Sequence, residues 1–182
     1  MDRDRMVEVG VALVSRFGAK ALSLTSVARH AGVARATAYR MFGGREALVS
    51  AIVSHERERL RVELAGWAAD EPDVAERVRK RVIGSLGYIR DHQALQYVLR
   101  NEPEEVVRSL VTVEGAGAPS LIDLIVDSAM ADLPEDEVAV MYPNPRAGIE
   151  YMVRTVYSCM LVPSSSMTDE EIADMVVRAV IR

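Results

Sequence analysis

The 182-residue sequence has one cysteine, three histidines, one tryptophan and two phenylalanines, and each scarcity removes a class of answer. The single thiol, Cys159, excludes an internal disulfide and fits a reducing cytoplasm. It stands in an apolar stretch and reads as a buried structural thiol rather than a redox sensor. His30, His55 and His92 fall on separate predicted helices, with no cysteine or acidic ligand pattern around them, so no metal site is expected. A Gly-rich phosphate loop and a G-x-S-x-G elbow are also missing, so the expectation is a non-enzyme without catalytic residues or cofactors. No unbroken apolar run reaches the roughly 20 residues of a membrane span, and no signal-peptide pattern opens the chain. A cytoplasmic protein with no membrane partner is therefore expected. Aromatics make up only 5% of the residues and the apolar positions recur at helical spacing, which points to an all-α fold.

Hydrophobic residues at 49% and charged residues at 27% are ordinary for a globular chain long enough to build one sizeable core or two small ones. The net charge of −5 is unevenly placed. Residues 1–61 carry 11 Lys and Arg against 6 Asp and Glu, while residues 62–182 carry 11 against 21. A basic N-terminal part can neutralise phosphates, and an acidic remainder is repelled by them. The chain divides electrostatically into two parts.

The basic part contains the stretch around which the chain is organised, Ser23 to Leu48, SLTSVARHAGVARATAYRMFGGREAL. Leu24 to Ala31 reads as a short helix with Val27, Ala28 and Ala31 on one face and Ser23 as its N-cap. Gly32 stands where the helix must stop and the chain must take a positive φ. A second helix, Ala34 to Met41, carries Arg35, Thr37, Tyr39 and Arg40 before Phe42 and Gly43-Gly44 end it. Two short helices joined by a Gly-containing turn make a helix-turn-helix. The second helix offers guanidiniums, a hydroxyl and a phenol, groups that read base edges and hold phosphates in a major groove. Arg45-Glu46 opens a third helix whose N-terminal amides, with the Arg45 charge, can face a phosphate.

Ser23, Val27-Ala28, Ala31-Gly32-Val33, Arg35, Thr37, Tyr39, Phe42, Arg45-Glu46 and Leu48 stand in an order and spacing that resemble the TetR family of one-component bacterial regulators. The resemblance is sharp only in this stretch; beyond it the agreement is in length and helix layout. The chain departs from the family pattern at Ala34, where Ser or Thr is usual, at Ala38, where a larger apolar residue is common, and at Arg40-Met41. The resemblance implies an N-terminal three-helix DNA-binding domain over residues 1–46 and a helical-bundle effector-binding and dimerisation domain over 47–182. It implies a homodimer on a pseudo-palindromic operator in double-stranded DNA, released when a small hydrophobic or amphipathic effector fills the second domain. Arg35 and Thr37 are the candidates for base contact. Thr25, Ser26, Tyr39, Arg40 and Arg45 complete the expected DNA-binding set. The alternative is a helical DNA-binding adaptor or architectural protein without a ligand, favoured by the side-chain cap missing at Ala34.

The rest reads as helices. Residues 4–17 bury Met6, Val9, Leu13 and Phe17, with Arg3 and Arg5 in the basic arm before them. A long helix runs from Glu46 to about Ala69 with a charged middle, and another from Pro72 to Arg90 with Arg77, Arg79, Lys80 and Arg81 expected as a solvated basic face. Asp91 is expected to cap a short helix through Arg100, followed by Glu104 to Val113, a break at Glu114 to Pro119, a helix to Ala131 and an acidic turn after Pro134. Tyr142-Pro-Asn-Pro145 must be extended, because residues before proline avoid the helical region. Two apolar helices close the chain, Arg146 to Leu161 and one opened by the capping box Thr168 to Glu171. Ile149, Val153, Val156, Met160, Ile172, Met175, Val176 and Val180 on these two helices are the expected dimer interface. By position in the family fold, Trp67, Tyr88, Tyr97, Ile125, Met152 and Tyr157 are the expected effector contacts.

Overall fold

A computed structural model describes residues 3–110 and 119–182. Among the described residues the chain forms α1 (Arg3–Phe17), α2 (Leu24–Ala31), α3 (Arg35–Phe42), α4 (Arg45–Trp67), α5 (Val74–Asp91), α6 (Gln93–Asn101), α7 (Pro103–Leu110), α8 (Leu121–Ala131), α9 (Glu135–Val140), α10 (Pro145–Leu161) and α11 (Asp169–Val180). The all-α expectation holds. The expected break at Glu114 to Ala118 lies outside the described residues, as does the end of the helix expected to reach Val113.

Two compact units result. The first takes residues up to 59 together with 92–107, so it extends well past the helix-turn-helix and recruits α6 from later in the chain. Its core joins Met6, Val7, Leu13 and Val14 of α1 to Leu24, Val27, Ala28 and Ala31 of α2, Ala38 and Phe42 of α3, Leu48, Ala51 and Ile52 of α4 and Ala94 of α6. Burial of each large side chain in this set contributes about 1.5–3 kcal/mol. Helix α1 comes close to α4 at Gly10, where a Cβ would lie 2.6 Å from Ile52 Cδ1 and would displace the tip of that side chain. Phe17, expected on the buried face of α1, is instead 55% exposed. The helix ends at Phe17, and Gly18 at φ +84° turns the chain away before that ring can reach the core.

Residues 60–91 and 108–182 form the second unit. Here Val78, Val82 and Leu86 of α5, Val126 of α8, Met141, Ile149 of α10 and Ile172, Ala173, Val176 and Val180 of α11 share a core. Of Tyr142-Pro-Asn-Pro145, expected to be extended, Asn144 is extended, while the chain bends at Tyr142 and Pro143, whose peptide is cis; Met141, just before it, forms an isolated antiparallel bridge with Ile181. Tyr142 N–H donates to Val180 O at 2.8 Å and Arg182 N–H to Val140 O at 3.0 Å.

Several caps differ from expectation. Helix α5 begins at Val74 rather than Pro72, because the Asp73 carboxylate accepts the Glu76 N–H at 2.8 Å and sets the start there. His92, not Asp91, caps α6: its Nδ1 accepts the Leu95 N–H at 3.1 Å. Asn144 caps α10 one residue earlier than expected, with Pro145 in the first turn. The capping box of Thr168 and Glu171 forms as read, and a second one, Ser120 with Asp123, opens α8. The basic run of α5 is only partly a solvated face, with Arg79 and Lys80 still partly exposed. Arg77 and Arg81 converge on the fully buried Glu137, Arg79 pairs with Asp174, and Lys80 pairs with Glu71.

Candidate DNA-binding surface

Helix α2 starts where Ser23 Oγ accepts the Ser26 N–H at 3.1 Å while Ser26 Oγ accepts the Ser23 N–H at 3.2 Å, a reciprocal cap. The same Ser26 hydroxyl donates to Ser23 O at 2.8 Å, so it is occupied in building the helix end. Thr25, beside it, is exposed. The helix stops at Gly32, which takes φ 70° and ψ 31° and so satisfies the left-handed C-cap that a side chain would resist. Val33 then folds partly into the core.

Helix α3 buries Ala38 completely and Phe42 nearly so, which fixes the opposite side outward. Arg35, Tyr39 and Arg40 are exposed and Thr37 is half-buried. Ala38 has no exposed surface, and a small residue at that point lets α3 sit close against the rest of the first unit. Arg35 and Tyr39, one turn apart, interact: Nη2 lies 3.4 Å from the phenol oxygen, and the guanidinium carbon sits 5.1 Å from the ring centroid. The pair holds a donor-rich plane on the outward face. At the N-cap, Ala34 makes no side-chain hydrogen bond, and its carbonyl accepts the Thr37 N–H at 2.9 Å.

Arg45 has a more specific job than the sequence indicated. Its Nε donates to Leu22 O at 3.1 Å and its Nη2 to Ala19 O at 2.7 Å, so this exposed residue ties the start of α4 to the turn that precedes α2. Arg3 is also placed, with its guanidinium 5.0 Å over the Phe42 ring. The structure thus groups Thr25, Ser26, Arg35, Thr37, Tyr39, Arg40 and Arg45 on α2, α3 and the first residue of α4, all in the first unit. Sequence reasoning missed Glu102, whose buried carboxylate meets the same α1–α2 turn; nothing local to Glu102 marks it, because its partners lie some eighty residues earlier.

The expected effector residues are distributed between the units. Trp67, Tyr88, Ile125, Met152 and Tyr157 lie in the second, all half-buried, whereas Tyr97 lies in the first, beside Gly18. Trp67 and Tyr88 meet edge to face with centroids 6.3 Å apart, and the indole lies so close to Gly84 that a Cβ there would sit 2.4 Å from it. A surface cleft of about 370 Å³ elsewhere in the unit is lined by Asp73, Glu76, Arg79, Asp174, Val177 and Arg178 among others, and includes none of the six. Of the expected interface set, Ile149, Ile172, Val176 and Val180 belong to the unit's own core. Met160 is buried, Val153 and Val156 pack partly against that core, and Met175 is 56% exposed. Tyr151 and Leu161 on α10 are exposed as well.

Residues 7–52 match the family model described as bacterial regulatory proteins, tetR family. Two curated proteins of Mycobacterium tuberculosis strains, each an uncharacterized HTH-type transcriptional regulator, are 28% identical over 176 residues, covering 96% of this chain and 83% of theirs. In fold the chain is similar to RolR without ligand (TM-score 0.69, 16% identity, covering 98% of this chain and 90% of that one), a protein also solved with resorcinol. It is equally similar to AlkX, a TetR family repressor from Dietzia implicated in biodegradation of n-alkanes (TM-score 0.69, 18% identity, covering 98% and 92%).

Proposed function

Since the chain belongs to the TetR family of bacterial transcriptional regulators, we propose that it is a homodimeric repressor that leaves a pseudo-palindromic operator when a small hydrophobic or amphipathic molecule binds its second unit. The observation that carries this reading is α3, whose buried Ala38 and Phe42 turn Arg35, Tyr39 and Arg40 outward together. A helix presented in this way enters a major groove with its side chains on base edges. Arg35, held as a plane by Tyr39, reads a guanine through two donors, and Thr37 lies beside it. Tyr39, Arg40, Thr25 and the α2 N-terminus meet phosphates. Arg45 fixes the α1–α2 turn and brings its charge to the same backbone.

Dimerisation falls to the exposed sides of α10 and α11, where Tyr151, Leu161 and Met175 face outward, with Val153 and Val156 at their margin. The inward residues of the expected set support this face from behind. The effector belongs near Trp67, Tyr88, Ile125, Met152 and Tyr157, apolar groups with phenols that suit a small amphipathic molecule. Resorcinol in RolR, a protein of the same fold, agrees in size and character.

Selection of genome fragments by the purified protein tests the reading. Repeated recovery of one site with two-fold symmetry is the expected result. Unrelated fragments bound in a salt-sensitive and sequence-blind way would replace it with an architectural DNA-binding role, for which the missing cap at Ala34 would be the structural reason.

A further inference from the structure

Glu102 ends α6, and its side chain is buried at 7% exposure. A carboxylate is withdrawn from water at a cost of several kcal/mol unless hydrogen bonds replace the lost solvation. Those bonds come from the α1–α2 turn. Ala19 N–H donates to Oε2 at 2.7 Å, and Lys20 N–H lies 3.2 Å from Oε2 and 3.3 Å from Oε1. Successive backbone N–H groups in such a turn form a concavity that holds an anion. The fit leaves no room for a side chain before them. Gly18 takes φ +84°, and a Cβ there would lie 2.3 Å from Glu102 Oε1 and 2.8 Å from the Tyr97 ring. Lys20 then reaches Glu104 in the first turn of α7, so the turn is joined both to the end of α6 and to the start of α7.

The carbonyl side of the same turn is held by Arg45, through Ala19 O and Leu22 O. The segment 18–22 is therefore gripped between a carboxylate on its amides and a guanidinium on its carbonyls. The next residue is Ser23, the N-cap from which α2 starts. Whatever sets the turn sets the origin of α2, and α2 packs directly on α3.

We infer that Glu102 is a positioning residue for operator binding: by holding the Ala19 and Lys20 amides, it fixes the helix-turn-helix in the orientation that meets DNA. This rests on the DNA-binding reading above and adds a residue far from the helix-turn-helix in sequence. Charge alone argues the opposite role. A carboxylate in the basic part of the chain weakens attraction to any phosphate backbone, so removing it without further consequence would strengthen binding to all DNA.

Glu102→Gln keeps the shape of the side chain and removes its charge. One amide oxygen cannot accept as both carboxylate oxygens do, so the turn is held less well. Binding of wild type and variant to the selected operator is measured across a salt series, with thermal unfolding of both recorded alongside. The expected result is a fall in operator affinity of roughly tenfold, the size of one charge-assisted hydrogen bond. The salt dependence should flatten by about 0.9 in slope for each phosphate that the variant no longer neutralises. A fall explained wholly by the unfolded fraction, at unchanged slope, would make Glu102 a merely structural residue and overturn the inference. So would affinity that stays level or rises on all DNA.

A double-mutant cycle with Gly18→Ala and Glu102→Ala provides the second measurement. The added methyl collides with the carboxylate only where Glu102 is present, so the operator-affinity losses should fall short of additivity. The strain of a positive φ is common to both backgrounds and cancels. Simple additivity would contradict the assignment. If wild type itself recovers no preferred sequence, the DNA-binding reading fails before Glu102 is tested.

Discussion

Arg35 is the side chain that the proposed reading places on the bases of the operator. It stands one turn before Tyr39 on the outward face of α3, with its guanidinium held over the phenol ring. Arg35→Ala should cost ~1–3 kcal/mol on the selected operator and relax the preference at one base position while leaving others intact. Equal weakening on all sequences, read by competition against single-base variants of the site, would mark Arg35 as a phosphate clamp instead. A second residue carries stability. Glu137 is fully buried, with Arg81 Nη1 2.7 Å from Oε2 and Arg77 Nε 3.0 Å from Oε1. Glu137→Ala takes from Arg81, only 24% exposed, the buried carboxylate it pairs with, while Arg77 keeps Asp136. The expected loss is about 3–5 kcal/mol in denaturant unfolding. These two residues also mark the limit of what the sequence reveals. The outward placement of Arg35 was legible because it follows from a short local pattern. Glu137 was not, because a carboxylate in an acidic turn looks solvated until its two arginine partners, more than fifty residues earlier, are known.

At the scale of elements, helix existence was legible and several starts were not. Apolar spacing of 3.6 identified α1, α2, α5 and α11, each of which buries a stripe along its length, and also α4, α8 and α10, which bury few residues each. The α6 start was misplaced by one residue because imidazole is an unusual cap and Asp91 a common one. The structure gives His92 both tasks: Nδ1 accepts from Leu95 N–H, so Nε2 carries the proton and donates to Glu56 of α4 at 2.5 Å. This link titrates. Burial alone would raise the Glu56 carboxyl, but the hydrogen bond from His92 and the positive charge of Arg59 outweigh it and hold the group below its usual 4.5. A depressed folded value stabilises the protein fully above about 4.5, and that contribution fades as the pH falls through the lower folded value. Glu56→Gln should therefore lower the melting temperature at neutral pH and progressively less so as acid is added. A deficit that stays constant across that window, followed by circular dichroism, would show that the carboxylate charge is not what binds α6.

The whole molecule inherits the charge division visible in its sequence: the basic excess lies in residues 1–61, and most acidic groups lie beyond. That asymmetry and the helix-turn-helix spacing made the DNA-binding role legible. The two faces of α10 and α11 were harder to read, because sequence alone does not say which apolar side chain turns inward and which outward. Ile149 and Val176 complete the core of their own chain, while Tyr151 and Met175 on the same helices turn outward. Met175→Asp is thus an exposed change, expected to leave the helical content intact and to halve the sedimenting mass. A variant that remains dimeric would move the interface elsewhere on the protein. The central claim is a two-fold repressor with one recognition helix per half-site, and hydroxyl-radical footprinting on the selected operator tests it most directly. It should give two protected patches on one face of the duplex, with centres one helical turn (~34–36 Å) or a multiple of that apart, related by the symmetry of the site. Protection that is continuous, or that shifts freely from fragment to fragment, would contradict it.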